Sequence, residues 1–238
     1  TRLDRLIADK RFSFMFSSLV VRDTMVTLLS RVLRIPVEGK PITIIDLSGV
    51  PSEVVDVVVS LLCRMVFDFS LWSAKDTTVP VLLVCEEAHR YVPERDELGF
   101  NPTKRAISRI AKEGRKYGVS VCLVSQRPSE LSATILSQCG TLIALRMWNE
   151  RDQEFVARTL PETSRGLLDV LPTLRTREAL VVGEGVSVPM RIRFDSLDAE
   201  HRPSSATKTF SFSGDWQSDK EGTPFFEETV QRWRQQKR

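Results

Sequence analysis

Along this chain, apolar residues fall into short unbroken runs, separated by polar loops and by segments of helical spacing. Residues 42–47 (ITIIDL), 81–85 (VLLVC), 119–124 (VSVCLV) and 141–145 (TLIAL) have the length and content of strands covered on both faces, as in a parallel sheet. Helical spacing predicts helices over 22–34, 51–71, 102–116, 149–159 and 163–171, and a helical return over 129–139. The segment 51–71 is apolar nearly all round and predicts a buried packing helix. Pro51 suits its first turn and Glu53 its N-terminal dipole. Residues 1–10 predict a short amphipathic helix, followed by Phe12, Phe14 and Phe16 at period two. A turn at 36–41 (PVEGKP) precedes the first strand. Residues 178–183 and 187–194 predict a hairpin around Gly183-Glu184-Gly185, a turn signal lacking the third glycine of a dinucleotide loop.

Strands alternating with helices predict an α/β domain with parallel central strands over residues 1–196. Residues 197–238 turn polar, with Phe210, Phe212, Trp216, Phe225, Phe226 and Trp233 dotted among charges. Such an arm cannot bury its aromatics alone and is expected to pack on a neighbouring subunit.

Of the 238 residues, 42% are hydrophobic and 27% charged, enough for a sizeable core in a soluble protein. The net charge of +3 does not announce nucleic acid, so any basic surface is local. One local excess exists. Helix 102–116 carries Lys104, Arg105, Arg109, Lys112, Arg115 and Lys116 against the single acid Glu113. The longest apolar passage, 54–69, is broken by Asp56, Ser60, Arg64 and Asp68, so no membrane span is expected, and the charged first ten residues are unlike a signal peptide. Cys63, Cys85, Cys122 and Cys139 lack CxxC spacing and read as reduced core thiols, which implies a cytoplasmic setting.

The chemistry gathers at the strand ends. The second run stops abruptly in Glu86 and Glu87, with Ala88 and His89 following. Acids at the tip of a buried parallel strand stand at the edge where α/β sheets bind ligands. A nucleotide-hydrolysing site needs one acid near Mg²⁺ and a second to orient the attacking water. The next strand ends in Ser125-Gln126 and the one after in Arg146. Acids, an amide and an arginine on one rim point to a single site. Asp46 ends the first strand and serves either as a site acid or, by an Asx-type hydrogen bond, as the holder of the following turn. His89 reads as a structural hydrogen-bonding residue. What these residues lack is a phosphate cradle: no GxxxxGK[ST] occurs in the chain, Gly39-Lys40 being followed by Pro41 and Gly114-Arg115-Lys116 by Tyr117.

The blocks ITIIDLSGVPSEVVD, LLVCEEAHRYVP, RIAKEGRKYGVSVCLVSQRPSELS and SQCGTLIALRM together resemble the C-terminal half of bacterial HerA-like ATPases, RecA-fold DNA translocases of the FtsK–HerA group. The resemblance covers about residues 1–196. It implies a RecA-like P-loop NTPase core whose phosphate-binding loop lies upstream of Thr1. On matching positions, Glu86 stands for the Walker B aspartate, one methylene longer, and serves the metal. Glu87 activates water, Gln126 is the polar sensor, and Arg115, or else Arg146, is the finger given to the next subunit's nucleotide. The resemblance further implies ATP and Mg²⁺ as cofactors, a homo-hexameric ring, sequence-independent DNA binding, and a nuclease partner of NurA type or a defence effector. Two other readings stay open: a non-catalytic RecA-fold interaction subunit, and a metal-dependent nuclease using Asp46, Glu86 and Glu87. The chain by itself is expected to be inactive as an ATPase.

Overall fold

The computed structural model describes residues 24–73, 79–95, 101–159, 162–202 and 223–235. The expected helix at 1–10 and its phenylalanines, with Phe210, Phe212 and Trp216, lie outside the described residues. Contacts divide the chain into two units, Thr1–Phe194 and Asp195–Arg238.

In the first unit, α1 (Met25–Leu33) closes on Arg34, which adopts the left-handed conformation with φ 56°. A turn follows, then the stretch 41–47. It was expected to be a buried strand, and here the structure differs. The stretch carries no ladder, and Ile42 and Ile44 are 75% and 86% exposed. A strand needs a neighbour for its amides, and among the described residues none is paired with it. At its end Asp46 Oδ1 accepts the Ser48 N–H at 2.9 Å, so Asp46 takes the turn-holding part of its two expected roles.

Helix α2 (Ser52–Trp72) forms as the apolar spacing predicts. It buries Val55, Val59, Cys63, Val66 and Phe67, whereas Val57, Leu61 and Trp72 on its other side are exposed. It therefore packs along one stripe only, not all round. Phe67 anchors that stripe, with the Tyr117 ring edge-on at 5.5 Å and the Arg109 guanidinium over its face at 4.1 Å.

Strand β1 (Val81–Cys85) runs parallel to β2 (Val119–Leu123), with Val81 opposite Val119 and Cys85 opposite Leu123. Helix α3 (Asn101–Glu113) makes the crossover. Its apolar stripe of Ala106, Ile107 and Ile110 joins α2 and the inner residues of both strands in one core. Thr103, fully buried, gives its hydroxyl to the Asp56 carbonyl at 2.7 Å and pins α3 to α2. The other face of the pair is bare: Leu82 and Val84 are 61% and 58% exposed. The sheet is covered on one side, where the unbroken apolar run predicted two.

Gly114 makes the join between α3 and β2 possible. A Cβ there would lie 2.2 Å from the Val119 carbonyl oxygen, so only glycine lets the helix end meet the strand. A single 3-10 turn, Gly114–Tyr117, carries Arg115 and Lys116 outward before β2 begins.

After the short α4 (Ala133–Leu136), β3 (Thr141–Ala144) pairs antiparallel with β4 (Glu178–Gly183), which pairs antiparallel with β5 (Met190–Arg193). The hairpin is where the glycines predicted it. Among the described residues parallel pairing is confined to β1 and β2, and β3 belongs to this second, three-stranded sheet. Its core of Ala144, Val156, Leu168, Leu171, Leu174, Leu180 and Val182 is supplied in part by α5 (Glu150–Thr159) and a 3-10 stretch, Glu162–Thr173. At the hairpin base the Glu178 carboxylate accepts the Arg175 N–H at 2.6 Å and an Arg191 N–H at 2.5 Å. These bonds hold Glu178 below the usual carboxylate range. The second unit contains α6 (Thr223–Gln235), with Phe226 and Trp233 exposed on it. Among the described residues no helix is long and apolar enough to cross a membrane.

Candidate functional site

The tips of β1 and β2 are tied together beyond the strands themselves. Val124 N–H reaches the Cys85 carbonyl at 3.0 Å, and Ala88 N–H returns to the Val124 carbonyl at 2.9 Å. Between these two bonds the chain turns sharply, and Glu87 takes up the bend at φ 50°, ψ 45°. This is the left-handed region, costly for a residue with a Cβ. The bend puts Glu86 outside, exposed, and turns the half-buried Glu87 toward the neighbouring strand tip.

There the Gln126 amide nitrogen lies 3.2 Å from Glu87 Oε1 and donates to it. His89 Nδ1 lies 3.4 Å from Glu87 Oε2 and 3.3 Å from Ser125 Oγ. Ser125 Oγ in turn accepts the Arg127 N–H at 3.0 Å. The structure thus gathers Glu87, His89, Ser125 and Gln126 into one polar cluster across two strand tips. Sequence reading brought Glu87, Ser125 and Gln126 to this rim and gave His89 a hydrogen-bonding part, but it gave Ser125 no partner, because its contact with His89 depends on a turn tighter than pattern can specify.

The segments that follow the two tips are also joined. Glu94 N–H reaches the Glu130 carbonyl at 2.8 Å and Ser132 N–H the Val92 carbonyl at 2.9 Å, around a bridge between Pro93 and Leu131. Lys104 Nζ donates to the Pro93 carbonyl at 2.7 Å, tying this strap to α3. Glu94 Oε2 accepts the Ala133 N–H at 2.8 Å at the start of α4. Lys104 is therefore engaged with the strap.

The two arginines lie elsewhere. Arg146 follows β3, which hydrogen-bonds to β4 and not to β2. Its guanidinium stands over the Trp148 ring at 5.4 Å. Arg115 precedes β2, at the opposite end of the strand from Gln126. The strand is 5 residues long, so at about 3.3 Å per residue the two positions are separated by ~17 Å or more. Within one chain Arg115 does not meet Glu87.

Two adjacent carboxylates at one elbow suit Mg²⁺, which takes one or two protein carboxylates beside phosphate oxygens and water, and not an all-protein cage. Among the described residues no group of three or more His, Cys, Asp or Glu side chains gathers to hold a metal. Two grooves, of 660 Å³ between α1 and α2 and 570 Å³ along the basic side of α3, count neither Glu87 nor Gln126 among their lining residues. The cysteines are free. Burial pushes Cys63 up to about 12 and Cys85 up to about 11, so both are inert structural thiols.

The family model of the HerA helicase central domain matches residues 1–66. A probable helicase of Methanocaldococcus jannaschii is 35% identical over 164 residues, 67% of this chain and 31% of its own. The DNA double-strand break repair helicase HerA of Pyrococcus furiosus is 43% identical over 114 residues, 48% of this chain and 20% of its own. The chain is similar to HerA helicases. In this HerA-like chain the alignment with relatives covers a third of their length or less, 32% for the HerA helicase of Sulfolobus acidocaldarius at 33% identity. A genome-packaging NTPase, B204 of Sulfolobus turreted icosahedral virus 2, aligns over 60% of the chain and 63% of its own, with a TM-score of 0.45 and 16% identity. So partial a likeness decides nothing.

Proposed function

We propose that the full-length protein is an ATP- and Mg²⁺-dependent DNA translocase or helicase of HerA type, a ring-forming, hexameric enzyme of the cytoplasm. The observation that carries this reading is the Glu87–Gln126 contact, made across neighbouring parallel strand tips by a glutamate held in a strained bend. The similarity to proteins named as HerA helicases supports it.

In that reading Glu87 accepts a hydrogen bond from the attacking water and aligns it, while its partner Gln126 senses the γ-phosphate and relays its loss to the strap behind it. Mg²⁺, when bound, supplies positive charge to the phosphate oxygens, with Glu86 as its carboxylate on this chain. Arg115, remote from Glu87 in its own chain and exposed, is suited to reach nucleotide bound by a neighbour, and Arg146 is the second candidate. DNA is held by sequence-independent phosphate contacts in the central channel, and a nuclease of NurA type or a defence effector is the partner. Residues 197–238 form an arm that docks on the adjacent subunit, a reading supported by exposed Phe226 and Trp233 on α6.

Replacing Glu87 with Gln in the full-length protein tests the assignment. Nucleotide binding should survive and turnover fall by orders of magnitude; undiminished turnover rules the reading out.

A second reading, a RecA-fold subunit that assembles without hydrolysing ATP, is favoured by the lack of GxxxxGK[ST] in these 238 residues. The coding sequence upstream of Thr1 discriminates: that motif there supports the enzyme.

A further inference from the structure

His89 lies two residues past Glu87, in the short 3-10 turn Ala88–Arg90 that folds the chain back under the strand tip. The turn sets Nδ1 3.3 Å from Ser125 Oγ, a long hydrogen bond, and 3.4 Å from Glu87 Oε2, an ion-pair distance that a small ring rotation shortens into a hydrogen bond. The imidazole is the more sheltered partner, with its side chain 19% exposed against 46% for Glu87.

One nitrogen facing two oxygens has to choose. A neutral imidazole carries its proton on one nitrogen and a lone pair on the other. If Nδ1 is bare, it accepts the Ser125 hydroxyl and turns its lone pair toward the carboxylate, lone pair against lone pair. If Nδ1 carries the proton, it donates to Glu87. The serine, already accepting the Arg127 N–H at 3.0 Å, is then free to rotate its own hydrogen elsewhere. Hydrogen bonds to an ionised acceptor are about twice as strong as neutral ones, so the carboxylate selects the second arrangement.

We propose that His89 is a positioning residue for Glu87. Its Nδ1–H holds Oε2 from the turn side while the Gln126 amide holds Oε1 from the neighbouring strand, and Ser125 backs the ring. With both oxygens engaged, the acid is oriented before any ligand arrives, which offsets the looseness of a half-exposed side chain. His89 acts through Glu87, so the inference rests on Glu87 having the water-aligning role proposed above.

The chain has two histidines, His89 and His201, which makes the proton directly visible. In ¹⁵N-histidine-labelled protein at about pH 8, two ring patterns appear, and a His201→Gln variant assigns them. The expected pattern for His89 is a protonated Nδ1 and a bare Nε2, reversing in Glu87→Ala as Nδ1 becomes free to accept from Ser125. A bare Nδ1 in the unsubstituted protein, or an identical pattern in Glu87→Ala, overturns the proposal. Turnover of the full-length protein gives a second readout. His89→Leu should lower kcat about ten- to a hundredfold at unchanged KM, and His89→Asn, whose amide nitrogen can stand near Nδ1, should restore most of it. Equal losses in both variants, or a change in KM alone, speak against positioning. The two ideas fail separately. Undiminished turnover in Glu87→Gln removes the water-aligning role, whereas the ring pattern decides alone whether His89 holds the carboxylate.

Discussion

Gln126 donates to Glu87 across the gap between two parallel strand tips, Nε2 to Oε1 at 3.2 Å. The amide ends one strand and the acid the other, so each reports on the other's position. Gln126→Ala in the full-length protein should leave nucleotide binding intact and lower turnover about ten- to a hundredfold. Gln126→Glu should do at least as much harm, because it places like charges where a donor stood. Unchanged turnover in either variant would separate the contact from catalysis.

The bend at Glu87 stores backbone strain. With φ at 50°, a side chain there costs energy that glycine does not incur. Glu87→Gly and Glu87→Ala both lose the carboxylate, yet the glycine variant should be the more stable by about 1 kcal/mol in urea unfolding. Equal stabilities would mean the bend relaxes when the acid is gone.

The helix-to-strand join is a steric bottleneck. Gly114→Ala drives a methyl into the Val119 carbonyl oxygen, 2.2 Å away if nothing moves. The expected cost is about 1–3 kcal/mol, read as a fall in the urea midpoint, with Arg115 displaced alongside. A neutral Gly114→Ala would show that α3 slides freely along β2.

Thiol chemistry follows burial. Cys63 and Cys85 sit near 12 and 11, raised from 9.0 by desolvation, so their neutral forms are favoured in the folded state. This contribution to stability is fully present below about pH 9 and is lost as pH rises toward the folded values. An alkylating reagent at pH 8 should modify exposed Cys122 and spare both. Prompt labelling of Cys63 would show that the core opens.

Much of this architecture was legible in the residues because each signal was local. Twenty-one residues of near-continuous helical spacing made α2, and the run ending in Glu86-Glu87 made β1 and its elbow. The pairing of β1 with β2 followed from a helix between two apolar runs. Other features depend on distant partners, and there the reading went astray. Residues 42–47 look like an inner strand by composition, but pairing is a property of neighbours, and none is paired with them among the described residues. Likewise TLIAL says strand without saying whose, so the β3 tip was expected on the same rim as those of β1 and β2, and β3 lies instead against the hairpin. At the candidate site, residue types marked Glu87 and Gln126. The contact of His89 with both Glu87 and Ser125 required a left-handed backbone angle that no spacing rule announces.

The exposed isoleucines of stretch 41–47 have a practical consequence for anyone handling this polypeptide. Ile42, Ile44 and Ile45 are exposed, and among the described residues no strand pairs with them; such apolar surface is a template for strangers, and identical molecules are the nearest at hand. Colloidal behaviour should therefore be governed by this stretch more than by net charge. Ile44→Lys should keep concentrated samples clear, as light scattering would show, and leaves the Glu86-Glu87 elbow unaltered.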